Sequence, residues 1–200
     1  MSTRLRTETR EAHERAEHAP LFSAIFNETC PPQAMLDLHR GFLDVYKAME
    51  AGLTAHKDHP VVGAFYLPEL FRVAAIEQDL QTLAPDLMAS PAVDAARSYA
   101  THLQMLAADE PLRLVAHAYT RYLGDLSGGQ MLAKKAKAIV GEDLAFYEFP
   151  LIKNPGAAKT DFRKRLDAMD LTEEQADAVV AEASVAFELN TELAIAVWPG

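Results

Sequence analysis

Arg121-Tyr122-Leu123-Gly124-Asp125-Leu126-Ser127-Gly128-Gly129-Gln130 sits between two stretches with helical character, Pro111 to Tyr122 before it and Met131 to Val140 after it. Three glycines inside one helix cost about 3 kcal/mol relative to alanine, at ~1 kcal/mol each. Two readings of that cost compete. In one, the chain breaks, with Gly124 capping the first helix and Asp125 or Ser127 opening the next. In the other, the helix continues and Gly124 and Gly128 share one face, where bare backbone can approach something flat and large. The Gly124–Gly129 spacing is that of a phosphate-binding loop, but Gln130 and Met131 stand where Lys and Ser/Thr are needed. No G-x-G-x-x-G is present either, so both nucleotide-phosphate readings fail.

Outward from this segment the pattern stays helical. Two hundred residues suit a single domain, 1–200, large enough to bury a proper core. Half of them are apolar and 8% aromatic, with many alanines and leucines, which favours an all-α chain. Arg4 to Ala19 reads as one helix with a shallow stripe of Leu5, Ala12, Ala16 and Ala19, beside which Arg6, His13 and Glu17 share a side. Pro31-Pro32 starts a core helix carrying Met35, Leu38, Phe42, Val45, Met49 and Leu53 at helical spacing. Further helices are expected from Pro68, from Pro91 with Ser90 as N-cap, from Pro111, and from Ala158 to Met169. Gly141 ends the helix that leaves the glycine segment, Phe146 to Pro150 is an aromatic loop, and Asn154-Pro155-Gly156 is a turn. Thr172 and Gln175 form a capping box for the last helix. The expectation is one all-α bundle of about eight helices.

Charge and cysteine usage narrow the function. A net charge of −10 argues against nucleic acid, whose binding rests on cationic neutralisation of phosphate. Nine of the nineteen basic residues nevertheless lie between Arg121 and Arg165, so a docking patch for an acidic partner is one reading and a solvated helix surface the other. Cys30 is alone, which leaves no disulfide framework and no C-x-x-C-H for covalent haem attachment. The N-terminus is charged and has no apolar leader, and no apolar run of about 18 residues exists, so a cytoplasmic protein without a membrane span is expected.

Seven histidines are available for a metal. His56-x-x-His59 has no carboxylate or cysteine set to complete it, and no histidine follows a glutamate by three residues, which counts against a carboxylate-bridged di-iron site. His117, seven residues before Gly124 on the same face, and His13, beside the alanine stripe, both remain open as ligands on spacing alone.

Tyr119 to Gln130 is similar to the signature segment of the haem oxygenases, and Glu11-Ala12-His13-Glu14-Arg15-Ala16-Glu17-His18-Ala19 resembles the segment that carries their proximal iron ligand. Leu144 to Pro150 and Ala186-Phe187-Glu188-Leu189-Asn190 extend the resemblance over nearly the whole chain. The resemblance implies His13 as the axial ligand of a non-covalently bound haem b, with His117 a packing or hydrogen-bonding residue. It implies Arg6, Tyr119, Lys159 and Arg163 as propionate anchors, and Glu17 and Ser127 among the haem contacts. Many relatives have Lys where Arg6 stands, which keeps the charge and changes the reach. Gly124 and Gly128 would cover the other haem face with backbone, and Asp125, with Arg121, would order the waters that deliver protons there. The activity implied is oxidative opening of the haem ring by O2 to biliverdin, carbon monoxide and ferrous iron, at the α-meso position. Electrons would come from a ferredoxin, a flavodoxin-like protein or their NAD(P)H reductase, since no flavin or nicotinamide motif is visible. A monomer is expected. The competing function is a haem carrier or sensor with the same pocket and no turnover; a thiaminase-like relative would need a nucleophilic cysteine in the pocket.

Overall fold

Two glycines set how closely the central helices pack. The long helix α4 (Pro32–Ala55) lies against α7 (Asp94–Asp109), α8 (Leu114–Val140) and α10 (Glu173–Val197). A Cβ added at Gly41 would stand 2.9 Å from Leu193 Cδ1 on α10 and 3.3 Å from Ala96 on α7, and one at Gly52 would meet Leu114 at 3.0 Å and Ala107 at 3.2 Å. Contacts that tight exclude a larger residue unless a neighbour moves. The expected stripe of α4, Met35 through Leu53, is buried throughout. Each such side chain contributes about 1.5–3 kcal/mol by leaving water.

The computed structural model describes residues 1–200, apart from the side chain of Gln130. The chain is all-α, with no strand among the described residues, and the remaining helices are α1 (Ser2–Glu8), α2 (Arg10–Glu17), α3 (Pro20–Phe26), α5 (Val73–Leu83), α6 (Pro85–Ala89) and α9 (Pro155–Asp167). Four short 3-10 turns complete it, at Val62–Phe65, Pro68–Leu70, Pro111–Arg113 and Ala145–Tyr147. Ten α-helices stand among the described residues against the expected eight or so: the first divides in two, and Pro20 and Pro85 each open a short helix. The first helix splits at Thr9, whose N–H and hydroxyl both donate to the Leu5 carbonyl, at 3.2 and 2.6 Å. After Pro68 and after Pro111 a 3-10 turn precedes the α-helix, and Ser90 closes α6 instead of capping α7, which begins at Asp94.

The helix ends follow their local chemistry. Gly141 terminates α8 at φ +86, its N–H bonded to the Lys137 carbonyl at 2.8 Å. Thr172 Oγ1 accepts from Gln175 N and Gln175 Oε1 accepts from Thr172 N, the reciprocal pair expected for α10. Asn154-Pro155-Gly156 is a helix start and not a free turn: Asn154 Oδ1 accepts from Ala157 N, and Pro155 takes the first position of α9. The N-terminal ammonium and the Ser2 N–H both reach Asp167 Oδ1, at 3.0 and 2.8 Å, which ties α1 to the end of α9. That tie holds α1 and α2 across the mouth of a cleft lined by α8 and α10.

Candidate functional site

α8 runs unbroken through Gly124, Gly128 and Gly129, so the helix-break reading and the capping roles for Asp125 and Ser127 are overturned. The reason lies outside the helix. A Cβ built on Gly124 meets no heavy atom within 4 Å, and one on Gly128 would have only an ordinary contact with Leu132 Cδ1 at 3.5 Å. Unlike Gly41 and Gly52, these two glycines are not demanded by the packing of the protein on itself. They keep a cleft open.

That cleft has two connected parts that share His13, Thr120, Gly124, Ser127 and Phe187. The wider part, about 350 Å³, carries the cations Arg6 and Arg163 and the hydroxyl of Tyr119. The narrower part, about 220 Å³, is walled by Phe22, Leu38, Phe42, Leu132 and Phe146, with Glu17, Arg121, Asp125, Gly128, Tyr147 and Asn190 also on its surface. An apolar slot continued by a cationic rim suits a flat apolar molecule that bears anionic groups at one edge. Lys159 lies one turn before Arg163 on α9 and lines neither part. Burial pushes the Tyr119 hydroxyl above its ordinary pKa, while the charges of Arg163 and Arg6 pull it back.

His13 projects from α2 with half its side chain exposed. Its ring meets Phe187 edge-on, centroids 5.2 Å apart, and its Nε2 lies 3.6 Å from Glu17 Oε1, beyond hydrogen-bond length. A half-exposed imidazole facing a cleft is free to take a metal. His117 is outside the cleft: it is fully buried, with Nδ1 paired to Tyr99 Oη and Nε2 to Glu182 Oε1, each at 3.0 Å. The spacing argument that made it a rival therefore fails. His56 and His59 bond to backbone, through His56 Nε2 to the Ala107 carbonyl and His59 Nδ1 to the Val61 and Val62 N–H groups. Cys30 is buried outside the cleft lining, and burial pushes its thiol up to about 11, so it is no nucleophile at neutral pH.

Asp125 and Arg121 form a locked pair one turn apart on α8. The Tyr46 hydroxyl donates to Asp125 Oδ2, and Arg121 Nη2 stands 3.6 Å from Oδ1. Arg121 also donates from Nε to Tyr46 Oη at 3.0 Å and from Nη1 to Asn190 Oδ1 at 2.6 Å, with its guanidinium 4.2 Å above the Phe42 ring. Burial pushes the Asp125 carboxyl above the usual aspartate range, against the Arg121 charge and the Tyr46 hydrogen bond. A carboxyl poised this way, at the wall of a cleft, can hold and pass a proton.

Comparison with known proteins shows the family. A family model described as "Heme oxygenase" matches residues 1–195. A heme oxygenase from Takifugu rubripes is 38% identical over 200 residues, covering 96% of this chain and 72% of its own length. Heme oxygenase 1 of a Nostoc species is 34% identical, with 96% and 84% covered. Among solved structures, heme oxygenase-1 from a Synechocystis species in complex with heme superposes with a TM-score of 0.92 at 33% identity, over 96% of this chain and 90% of that one. The heme oxygenase of Leptospira interrogans gives 0.90 at 31%, over 96% and 97%.

The chain belongs to the haem oxygenase family.

Two residues that hold the Asp125–Arg121 pair stand out little in the sequence. Tyr46 falls four residues after Phe42 on α4 and passes for part of the apolar stripe, yet its hydroxyl grips Asp125. Asn190 ends the Ala186–Asn190 segment, and its bond to Arg121 spans 69 residues of sequence. A hydroxyl or amide among core positions is the one local signal that could have exposed them, since a buried polar group needs a partner. Tyr147 is buried with its ring against Phe146 and His39.

Proposed function

We propose that this chain binds haem b between α2 and α8 and oxidatively opens it with O2 and external electrons, giving biliverdin, carbon monoxide and ferrous iron. The observation that carries this reading is Gly124. Its backbone lines a cleft, no neighbour would meet a Cβ there, and the helix nevertheless forgoes about 1 kcal/mol by having glycine. The donor set fits haem: an imidazole on one wall, bare backbone on the other, an apolar slot and a cationic rim.

When bound, haem supplies the iron that activates O2 and the ring that is oxidised. His13 holds that iron through a neutral imidazole, with Glu17 beside the ring and Ser127 on the cleft wall. Arg6, Tyr119 and Arg163, with Lys159 one turn before Arg163 on α9, would hold the propionates and so fix how the ring sits, with opening expected at the α-meso position. Gly124 and Gly128 would present bare main chain to the bound haem. Asp125, gripped by Tyr46 and backed by Arg121, orders water and passes protons into this side of the cleft. Electrons arrive from a ferredoxin, a flavodoxin-like protein or their NAD(P)H reductase, and the protein works as a cytoplasmic monomer.

The haem complex incubated with a reductant in air is expected to lose its Soret absorption and form a bilin, identified as the α isomer. A complex that is reduced and reoxidised with its haem intact would instead be a carrier or sensor. Asp125→Ala is expected to bind haem like the parent and lose bilin formation; normal turnover in that variant would remove Asp125 from the mechanism.

A further inference from the structure

Away from the cleft, three helices bring a second set of metal-ligand atoms together. His102 on α7, His117 on α8 and Glu182 on α10 place two imidazole nitrogens and a carboxylate oxygen all within 4.8 Å of one another. Both Nε2 atoms converge on the same oxygen, Glu182 Oε1, His102 at 2.6 Å and His117 at 3.0 Å. We propose that this triad is a binding site for one divalent first-row transition cation of the zinc class, distinct from the haem iron.

The donor set is two neutral imidazoles and one carboxylate, which leaves a fourth position for water, a combination that suits zinc and its neighbours in the first row. Tetrahedral zinc with N and O bonds of about 2.0–2.1 Å sets its ligands roughly 3.4 Å apart. Glu182 Oε1 already lies within that spacing of both imidazole nitrogens, so a cation enters as the carboxylate draws back from them. Tyr99 Oη, 3.0 Å from His117 Nδ1, holds that ring from behind as an outer-shell partner should. Each imidazole carries its proton on Nε2 to bond Glu182, and the cation takes that place while the proton shifts to Nδ1, with no net proton released. Arg113 Nη1 is 3.5 Å from the other carboxylate oxygen, Oε2, and its Nη2 pairs with Glu110 Oε2 at 2.9 Å, so it keeps a carboxylate partner when Glu182 turns to a cation. His117 and Glu182 are almost fully buried, whereas the His102 side chain is one-third exposed and provides the way in. Bound there, a cation would clip α7, α8 and α10 together.

The test uses the haem-free chain and the metal alone. Zinc titrated into it by calorimetry is expected to fill one saturable site, and cobalt(II) in its place to give the visible bands of a site with nitrogen ligands. His102→Ala alters an exposed position, and circular dichroism checks that it folds; it is expected to weaken zinc at least about 10–100-fold, the range that even outer-shell losses cause, and Tyr99→Phe to weaken it by about 10-fold. His13→Ala is expected to leave zinc binding unchanged, and His102→Ala to leave haem binding unchanged, which separates this site from the haem site. Absence of a saturable zinc site, a site that survives His102→Ala, or one lost in His13→Ala overturns the proposal.

Discussion

Gly124 is where a single residue separates the demands of the fold from those of the ligand. Gly124→Ala adds a methyl with no heavy atom within 4 Å and removes a glycine from a helix interior. The haem-free variant is expected to gain about 1 kcal/mol, or ~2–4 °C in Tm for a chain of this size. The same methyl stands where the haem face would lie, so haem affinity or turnover should fall. A variant more stable and equally active would show that the cleft does not need bare backbone there. Glu50 offers a second test at this scale. It is buried on α4, and its Oε1 accepts the Arg72 N–H at 2.5 Å. Burial pushes its carboxyl up to about 7 against these hydrogen bonds, whereas in the unfolded chain it titrates near 4.5. Between those values the folded protein holds a proton that the unfolded chain has released, so stability falls as pH rises from about 4.5 to about 7. Glu50→Gln should flatten that slope in denaturant midpoints measured across the window; an unchanged slope would assign it to other groups.

At the scale of elements, the aromatic wall of the cleft depends on two buried ions of α5 and its approach. Asp79 accepts the N–H groups of Ala145 and Phe146, at 2.7 and 2.9 Å, and Arg72 donates to the carbonyls of Phe146 and Glu148 while its guanidinium lies 3.9 Å from the centre of the Phe149 ring. Together they pin a turn with no regular ladder of its own. Asp79→Ala leaves two N–H groups without acceptors and is expected to cost about 1–3 kcal/mol. Because that turn carries Phe146 and Tyr147 to the cleft, the haem complex should also broaden or shift in its absorption. Loss of stability with a haem spectrum identical to the parent would mean that the turn is held by its aromatic packing alone.

The molecule as a whole is acidic, with nine of its nineteen basic residues between Arg121 and Arg165. The cluster is weaker than its count implies, because Lys135 pairs with Glu28, Lys137 with Asp143 and Arg165 with Asp161, at 2.5–2.8 Å. If an acidic electron donor docks there, its rate of reduction should fall as ionic strength rises past the point where the screening length reaches about 10 Å, near 0.1 M salt. Lys164→Glu should slow reduction more than Lys135→Glu, since Lys135 already faces a carboxylate. Stopped-flow reduction that is indifferent to salt would exclude charge-steered docking. No helix among the described residues is long and apolar enough to cross a membrane.

What the sequence determined by itself was local and periodic. The all-α class, the buried stripe of α4, the Gly141 terminus and the Thr172 capping box follow from side-chain spacing and from backbone groups that need partners within a few residues. The glycine segment lay at the edge of that reach, since the same three glycines suit a break or a continuous helix. Only the tertiary structure decided between them, because the gain that offsets their cost lies in a cleft between α2, α8 and α10 and not in the helix. The same holds for Asp125. Its partner Tyr46 is 79 positions away, Asn190 lies 69 positions from the Arg121 it holds, and the Asp125 carboxyl is raised by burial that no local pattern reports. His13 and His117 were equally plausible ligands by spacing; packing buried one against Glu182 and Tyr99 and left the other facing the cleft. Periodicity shows which face of a helix turns inward, but what that face then meets depends on the other helices.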